Sequence, residues 1–196
     1  MALVDILMAL ALLGIMSSGL FFGFRAGLTS WIIAQQYAAE QQNGRAVVNR
    51  IARSLRMVGY NYAGTAPAVI YGDAHEVDFF ADLDGTGTAQ CYRFYLNSGV
   101  VYEAKVTGTG CDTSIRSAPG QPLTAVMEAK ALTFTELDFT FWSAADLGGG
   151  QLATPLSSTD RYHVVRVEVT AKVQGESSTE PPVTITTDAT VRQTGG

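Results

Sequence analysis

The sequence is poor in reactive chemistry. Among its 196 residues are two cysteines and two histidines, and none of the common catalytic signatures occurs: no Gly-X-Ser-X-Gly, no Walker loop, no His-Glu-X-X-His, no Cys-X-X-Cys. With so few nucleophiles and soft ligands, an enzyme is not expected and no cofactor is implied. The eighteen acidic residues mostly alternate with apolar ones in short runs, as on a solvated sheet face. There is no Asn-X-Ser/Thr acceptor for N-glycosylation. The first 24 residues contain no Lys, Arg, His or Pro, so they lack the basic n-region of a secretory signal peptide, and they lack its small-residue cleavage site.

What stands there instead is an apolar run, MALVDILMALALLGIMSSGLFFGF, with one charge at Asp5 and its end at Arg25. As a helix, 24 residues extend about 36 Å, enough to cross a hydrocarbon core of about 30 Å. A carboxylate in such a helix costs about 2.5–3.5 kcal/mol at its centre and less near an end, so Asp5 needs a partner. The nearest cation is the α-amino group of Met1, about one turn away in the same helix and equally able to face the Asp5 of a neighbouring chain.

Residues Met1 to Ile15 resemble the mature N-terminus of a type IV pilin or type II secretion pseudopilin, as prepilin peptidase leaves it. In that family the fifth residue is usually Glu, paired with the N-methylated amine of the adjacent subunit. Asp5 keeps the charge and shortens the reach by one methylene. Met1 replaces the commoner Phe, and the missing leader points to a processed chain. The segment RAVVNRIARSLRMVGY is similar to the helix end of PilW-type minor pilins. The resemblance implies an α+β fold: a long N-terminal helix, apolar in its first half, packed by its second half on an antiparallel β-sheet head. Three regions are expected: residues 1–27 as membrane and filament-core helix, 28–60 as its amphipathic half, and 61–196 as the head.

Gly14, Ser17, Ser18, Gly19 and Gly23 weaken the apolar helix, since Gly costs about 1 kcal/mol against Ala. Pilins resembling this chain often unwind here on entering a filament, so local unwinding within Gly14–Gly23 is expected in the assembled state. Further on, Val47 or Val48, Ile51, Leu55 and Val58 recur at helical spacing, with Arg45, Asn49, Arg53 and Arg56 largely opposite. Gly59 is placed as a C-cap. Charge is divided: residues 1–60 carry five cations and two anions, and residues 61–196 eight and sixteen. The acidic head and the absence of a recognised motif argue against nucleic acid as a partner for the four arginines from Arg45 to Arg56.

Asn61 to Pro67 reads as a loop. Val77, Phe79 and Ala81 alternate with Glu76, Asp78 and Phe80, and Tyr92, Phe94 and Leu96 with Cys91, Arg93 and Tyr95. Asn97-Ser98-Gly99 turns the chain into Val100–Val106 as a hairpin. Leu137, Phe139 and Phe141 share one face, Val165, Val167, Val169, Ala171 and Val173 another, and Val183, Ile185, Ala189 and Val191 close the chain. Gly108–Pro122, Asp146–Asp160 and Gln174–Pro182 read as loops. Asp82 and Asp84, followed by Gly85, start like a calcium loop, but the EF-hand glutamate position is Arg93, and an Asp-Gly turn fits better. Cys91 and Cys111, the only cysteines, are expected to bridge in an exported chain and to staple the hairpin to the following loop.

The function expected from these readings is that of a structural subunit of a type IV pilus-like filament, held in the inner membrane by its helix before assembly at the cell surface. Cell adhesion and motility come with that resemblance. Its partners are copies of itself or other pilins and the assembly machinery. The alternatives are a low-copy minor pilin or secretion pseudopilin that primes a filament, and a single-pass anchored binding module.

Overall fold

The computed structural model describes residues 2–106, 111, 113–126, 132–144, 149–174 and 182–191. The chain divides into two compact units, Met1–Ala39 and Glu40–Gly196. One helix, α1 (Ala2–Arg56), supplies the whole of the described first unit and begins the second.

In the second unit, which is the head, the helical stripe read from the sequence is the face that packs. Val47, Val48, Ile51, Leu55 and Val58 are fully buried, while Arg45, Asn49, Arg53 and Arg56 are exposed. Gly44 explains how closely the helix approaches the sheet. A Cβ there would lie 2.8 Å from Ile185 Cδ1 and 2.9 Å from Val173 Cγ2, so only glycine fits without displacing them. The helix ends at Arg56, two residues before the expected end, because the chain turns early to join the sheet. Gly59, at φ 79°, takes the left-handed conformation that closes the turn, and its N–H donates to Phe80 O at 2.8 Å.

The strands form two antiparallel sheets rather than the one expected. The first holds β1 (Val69–Gly72), β2 (Glu76–Ala81), β3 (Gln90–Asn97), β4 (Val100–Val106) and β5 (Gln121–Pro122) in that order. The second holds β6 (Thr133–Ser143), β7 (Val164–Gln174) and β8 (Val183–Thr190). They are joined along β6, where Phe139 N donates to Ala74 O at 2.7 Å and Phe134 N to Gly99 O at 2.8 Å. The main core gathers the α1 stripe, Phe79, Phe94, Phe134, Phe141, Val167 and Val169. The expected β3–β4 hairpin is present, with Asn97 opposite Val100 and Ser98 and Gly99 both at positive φ, as a two-residue type I′ turn requires.

Three local expectations are corrected, and one strand, β1, lies where no run was expected, being too short to show an alternation. The segment Gly108–Pro122, expected to be a loop, contains α2 (Thr113–Ser117) and β5, and a further turn of helix, α3 (Leu123–Val126), follows directly. Val165 is only partly buried and Val164 takes the core position, because the β6–β7 register shifts between Trp142 and Ser143 and leaves Val165 as the extra residue of a bulge. Lastly, the second face of β2 is not solvated. Phe80, Cys91, Ala104, Cys111 and Ile115 form a second apolar cluster over it, and Asp78 is 1% exposed.

Candidate functional site

The first unit carries no packing of its own. From Leu3 to Ile33 every large apolar side chain is exposed, between 44% and 75%, an apolar surface far beyond what a soluble monomer leaves in water. The helix is long and apolar enough to cross a membrane. Asp5 stands exposed in its first turn, where the N-terminal end of the helix dipole favours a negative charge. Among the described residues Asp5 has no ion-pair partner, and Met1, the expected source of one, lies outside them. Gly14, Ser17, Ser18, Gly19 and Gly23 are all helical here. Ser18 Oγ donates to Ile15 O at 2.8 Å, a backbone contact of the kind that weakens and bends helices. A Cβ on Gly14, Gly19 or Gly23 would meet nothing within 4 Å. No contact within the chain therefore requires glycine at these three positions.

In the head, Cys91 and Cys111 form a disulfide with Cα atoms 5.3 Å apart. It fixes the start of β3 to the segment that leads into α2, whose Ile115 is fully buried. Around it lies a charged cluster that the sequence did not signal. Arg93 bonds to Glu76 and sits 3.5 Å from Asp78 Oδ1, and Arg116 reaches Glu76 at 3.3 Å. The Arg116 guanidinium stacks 4.0 Å from the Tyr71 ring and that of Arg93 4.6 Å from Tyr95. Burial pushes the Asp78 carboxyl up to about 7, with Arg93 acting against it.

The Asp82–Gly87 turn consumes its own carboxylates. Asp82 accepts from Asn61 Nδ2 at 2.7 Å, Thr86 N at 3.0 Å and Gly87 N at 2.8 Å. Asp84 accepts from Thr86 Oγ1 at 2.8 Å and from Gln90 Nε2 and Lys105 Nζ, both at 2.9 Å. The Lys105 and Thr86 hydrogen bonds hold the Asp84 carboxyl well below its ordinary range. Gly85 and Gly87 take positive φ. Lys105 thus gives Asp84 a cationic partner within the chain. Among the described residues, no three His, Cys, Asp or Glu side chains are grouped to hold a metal ion. A groove of about 750 Å³ runs between residues 61–66 and 87–89, floored by Phe80, and its lining contains no Asp, Glu, His, Lys or Arg. Tyr62 stacks on Phe80 at its edge, with ring centroids 4.5 Å apart.

No protein-family model and no curated protein matches the chain. Solved structures similar to it include a chain of the GspK-GspI-GspJ complex of the enterotoxigenic Escherichia coli type 2 secretion system. That likeness has 12% identity and a TM-score of 0.49, and covers 78% of this chain and 97% of that one. Another is the type IV-like pilin TTHA1219 from Thermus thermophilus, at 12% identity and a TM-score of 0.47, covering 79% and 96%. At such identities neither assigns a role to any residue here.

Proposed function

We propose that this chain is a structural subunit of a pilin-like filament, stored in the inner membrane by the first half of α1 and transferred to the cell surface by bundling that same segment with those of copies of itself or of other pilin-like subunits. The observation that carries this reading is the exposed apolar surface from Leu3 to Ile33 with a single carboxylate, Asp5, in its first turn. Lipid and a bundle of identical helices are the two environments that bury such a surface. Asp5 would supply register: a buried carboxylate without a cation is heavily penalised, so only the insertion that brings it to a neighbour's terminal amine is favourable. The segment Gly14–Gly23 would be the place where the helix opens on leaving lipid. No reaction is involved.

The test separates membrane storage from assembly. Asp5→Ala is expected to leave the chain in the membrane fraction and to abolish or strongly reduce it in filaments sheared from the cells. Equal filament yield with Asp5→Ala contradicts the register role.

A further inference from the structure

Among the described residues the two sheets have four edge strands, and three of these are either bonded by neighbouring backbone or very short. On β1, Gly72 O accepts from Leu156 N at 2.8 Å. β5 is only two residues long. β6 is bonded along its outer side, through Phe134 N to Gly99 O, Phe139 N to Ala74 O and Phe141 O from Leu152 N. The fourth edge is β8, and it is different in kind.

Val191 N, just beyond β8, donates to Val165 O at 2.8 Å, which fixes the alternation along the strand. Odd-numbered residues turn their backbone groups to β7, so Thr184, Thr186, Asp188 and Thr190 turn theirs to the open side. Arg56 agrees with this assignment, since it donates to Asp188 O at 3.1 Å. Among the described residues no other group bonds to that edge. β8 has few of the features that usually protect an edge: one charge, Asp188, and the single contact from Arg56. Within it there is no Pro and no Lys, and its eight pairs with β7 run without a bulge. The core-facing Val183 and Ile185 stay half-buried, whereas Ala189 is fully buried.

We propose that this edge is an interaction surface for a second copy of the chain, β8 pairing with β8 antiparallel about a two-fold axis through Thr187. With Thr187 opposite itself, Thr184 faces Thr190 and Thr186 faces Asp188. Every outward N–H and C=O of both strands then has a partner, and Thr186 N–H of the second copy replaces Arg56 on Asp188 O. The half-buried Val183 and Ile185 come opposite Val191 and Ala189. Neighbouring registers fit worse. Centring on Thr186 sets Thr190 against Pro182, which has no N–H, and centring on Asp188 places two like charges opposite each other. A contact of this kind is closed, because the same patch is used on both copies. In a filament whose subunits all point one way it cannot join neighbours. It joins two filaments side by side, or two membrane-held chains, and so does not rest on the filament reading.

The test uses the full chain in detergent micelles. Thr187 would form a non-hydrogen-bonded pair, with Cα atoms about 4.5 Å apart and within disulfide reach, and the native cysteines are already joined to each other. Under mild oxidation Thr187→Cys is expected to give at least ten times more covalent dimer than Thr190→Cys. Adding Thr186→Pro or Thr184→Pro to Thr187→Cys removes an outward N–H that β7 does not use, so the dimer is expected to be lost while circular dichroism and melting temperature hold. Cross-linking by Thr187→Cys no better than by Thr190→Cys overturns the proposal, as does a dimer that survives both proline variants. Neither result bears on Asp5, whose filament test stands apart.

Discussion

Arg93 Nε lies 3.5 Å from Asp78 Oδ1, yet the carboxyl it faces is 1% exposed and its Oδ1 lacks a hydrogen-bond partner. Desolvation prevails over the ion pair here, as it does when a charge is buried without full hydrogen bonding. The Asp78 carboxyl is raised to about 7 from an ordinary value of 3.8.

A stability profile follows from that shift. Between the unfolded and folded values the folded head binds more protons than the unfolded chain, so Asp78 makes stability fall as pH rises from about 4 to about 7. Asp78→Asn removes this contribution. Urea denaturation of the two proteins at pH 4 to 8 should show the variant gaining on the parent as pH rises, by on the order of a few kcal/mol at pH 8. Parallel profiles would contradict it.

The disulfide between Cys91 and Cys111 should stabilise the head by about 3 kcal/mol, as expected for a loop of this size. Cys91→Ser with Cys111→Ser should lower the melting temperature of the head and increase protease cleavage near α2, since Ile115 is held in the second cluster beside that bond. The helicity of α1 should not change. An unaltered melting temperature would mean that the cluster holds α2 without the bond.

The helix was legible in the sequence because its two signals are long-range and regular: an uninterrupted apolar run, then a stripe at helical spacing. The β3–β4 hairpin was legible because Asn97-Ser98-Gly99 can do little else between two alternating runs. What was not legible depends on contacts distant in sequence. Asp78 reads as solvent-facing from its alternation with Val77 and Phe79, and only the cover supplied by α2 buries it. Val165 belongs to the core by parity, and a register shift against β6 replaces it with Val164. The division into two sheets follows from β6 bonding to the turns at Ala74 and Gly99, which no local pattern announces. In the apolar helix, Asp5 stood out because it is the only charge before Arg25, whereas the open β8 edge gives no sign in a run of threonines.

The glycines of α1 should separate by role. Gly44→Leu forces a side chain against Ile185 and Val173 and is expected to destabilise the head by about 1–3 kcal/mol. Gly23→Ala meets no neighbour and should leave head stability unchanged while raising helicity slightly. Chemical denaturation of both variants, followed by tryptophan fluorescence and circular dichroism, checks the contrast. Equal effects would remove the close-approach explanation for Gly44.

If the Gly14–Gly23 segment opens on assembly, stiffening it should hinder that step. Replacing Gly14, Gly19 and Gly23 together by Ala favours the helix by about 1 kcal/mol per site. Membrane insertion is expected to be normal and filament yield lower. Undiminished yield would remove the unwinding step.

The most direct measurement is electron microscopy of filaments sheared from cells that make this chain, with mass spectrometry of the purified subunits. The expected result is thin filaments that contain the chain, with the Leu3–Ile33 segment bundled at their centre. Abundance in those filaments assigns a principal subunit and trace amounts a low-copy one. Recovery of the chain only from membranes, with none in any filament, would contradict the assembly role and leave it a membrane-anchored protein.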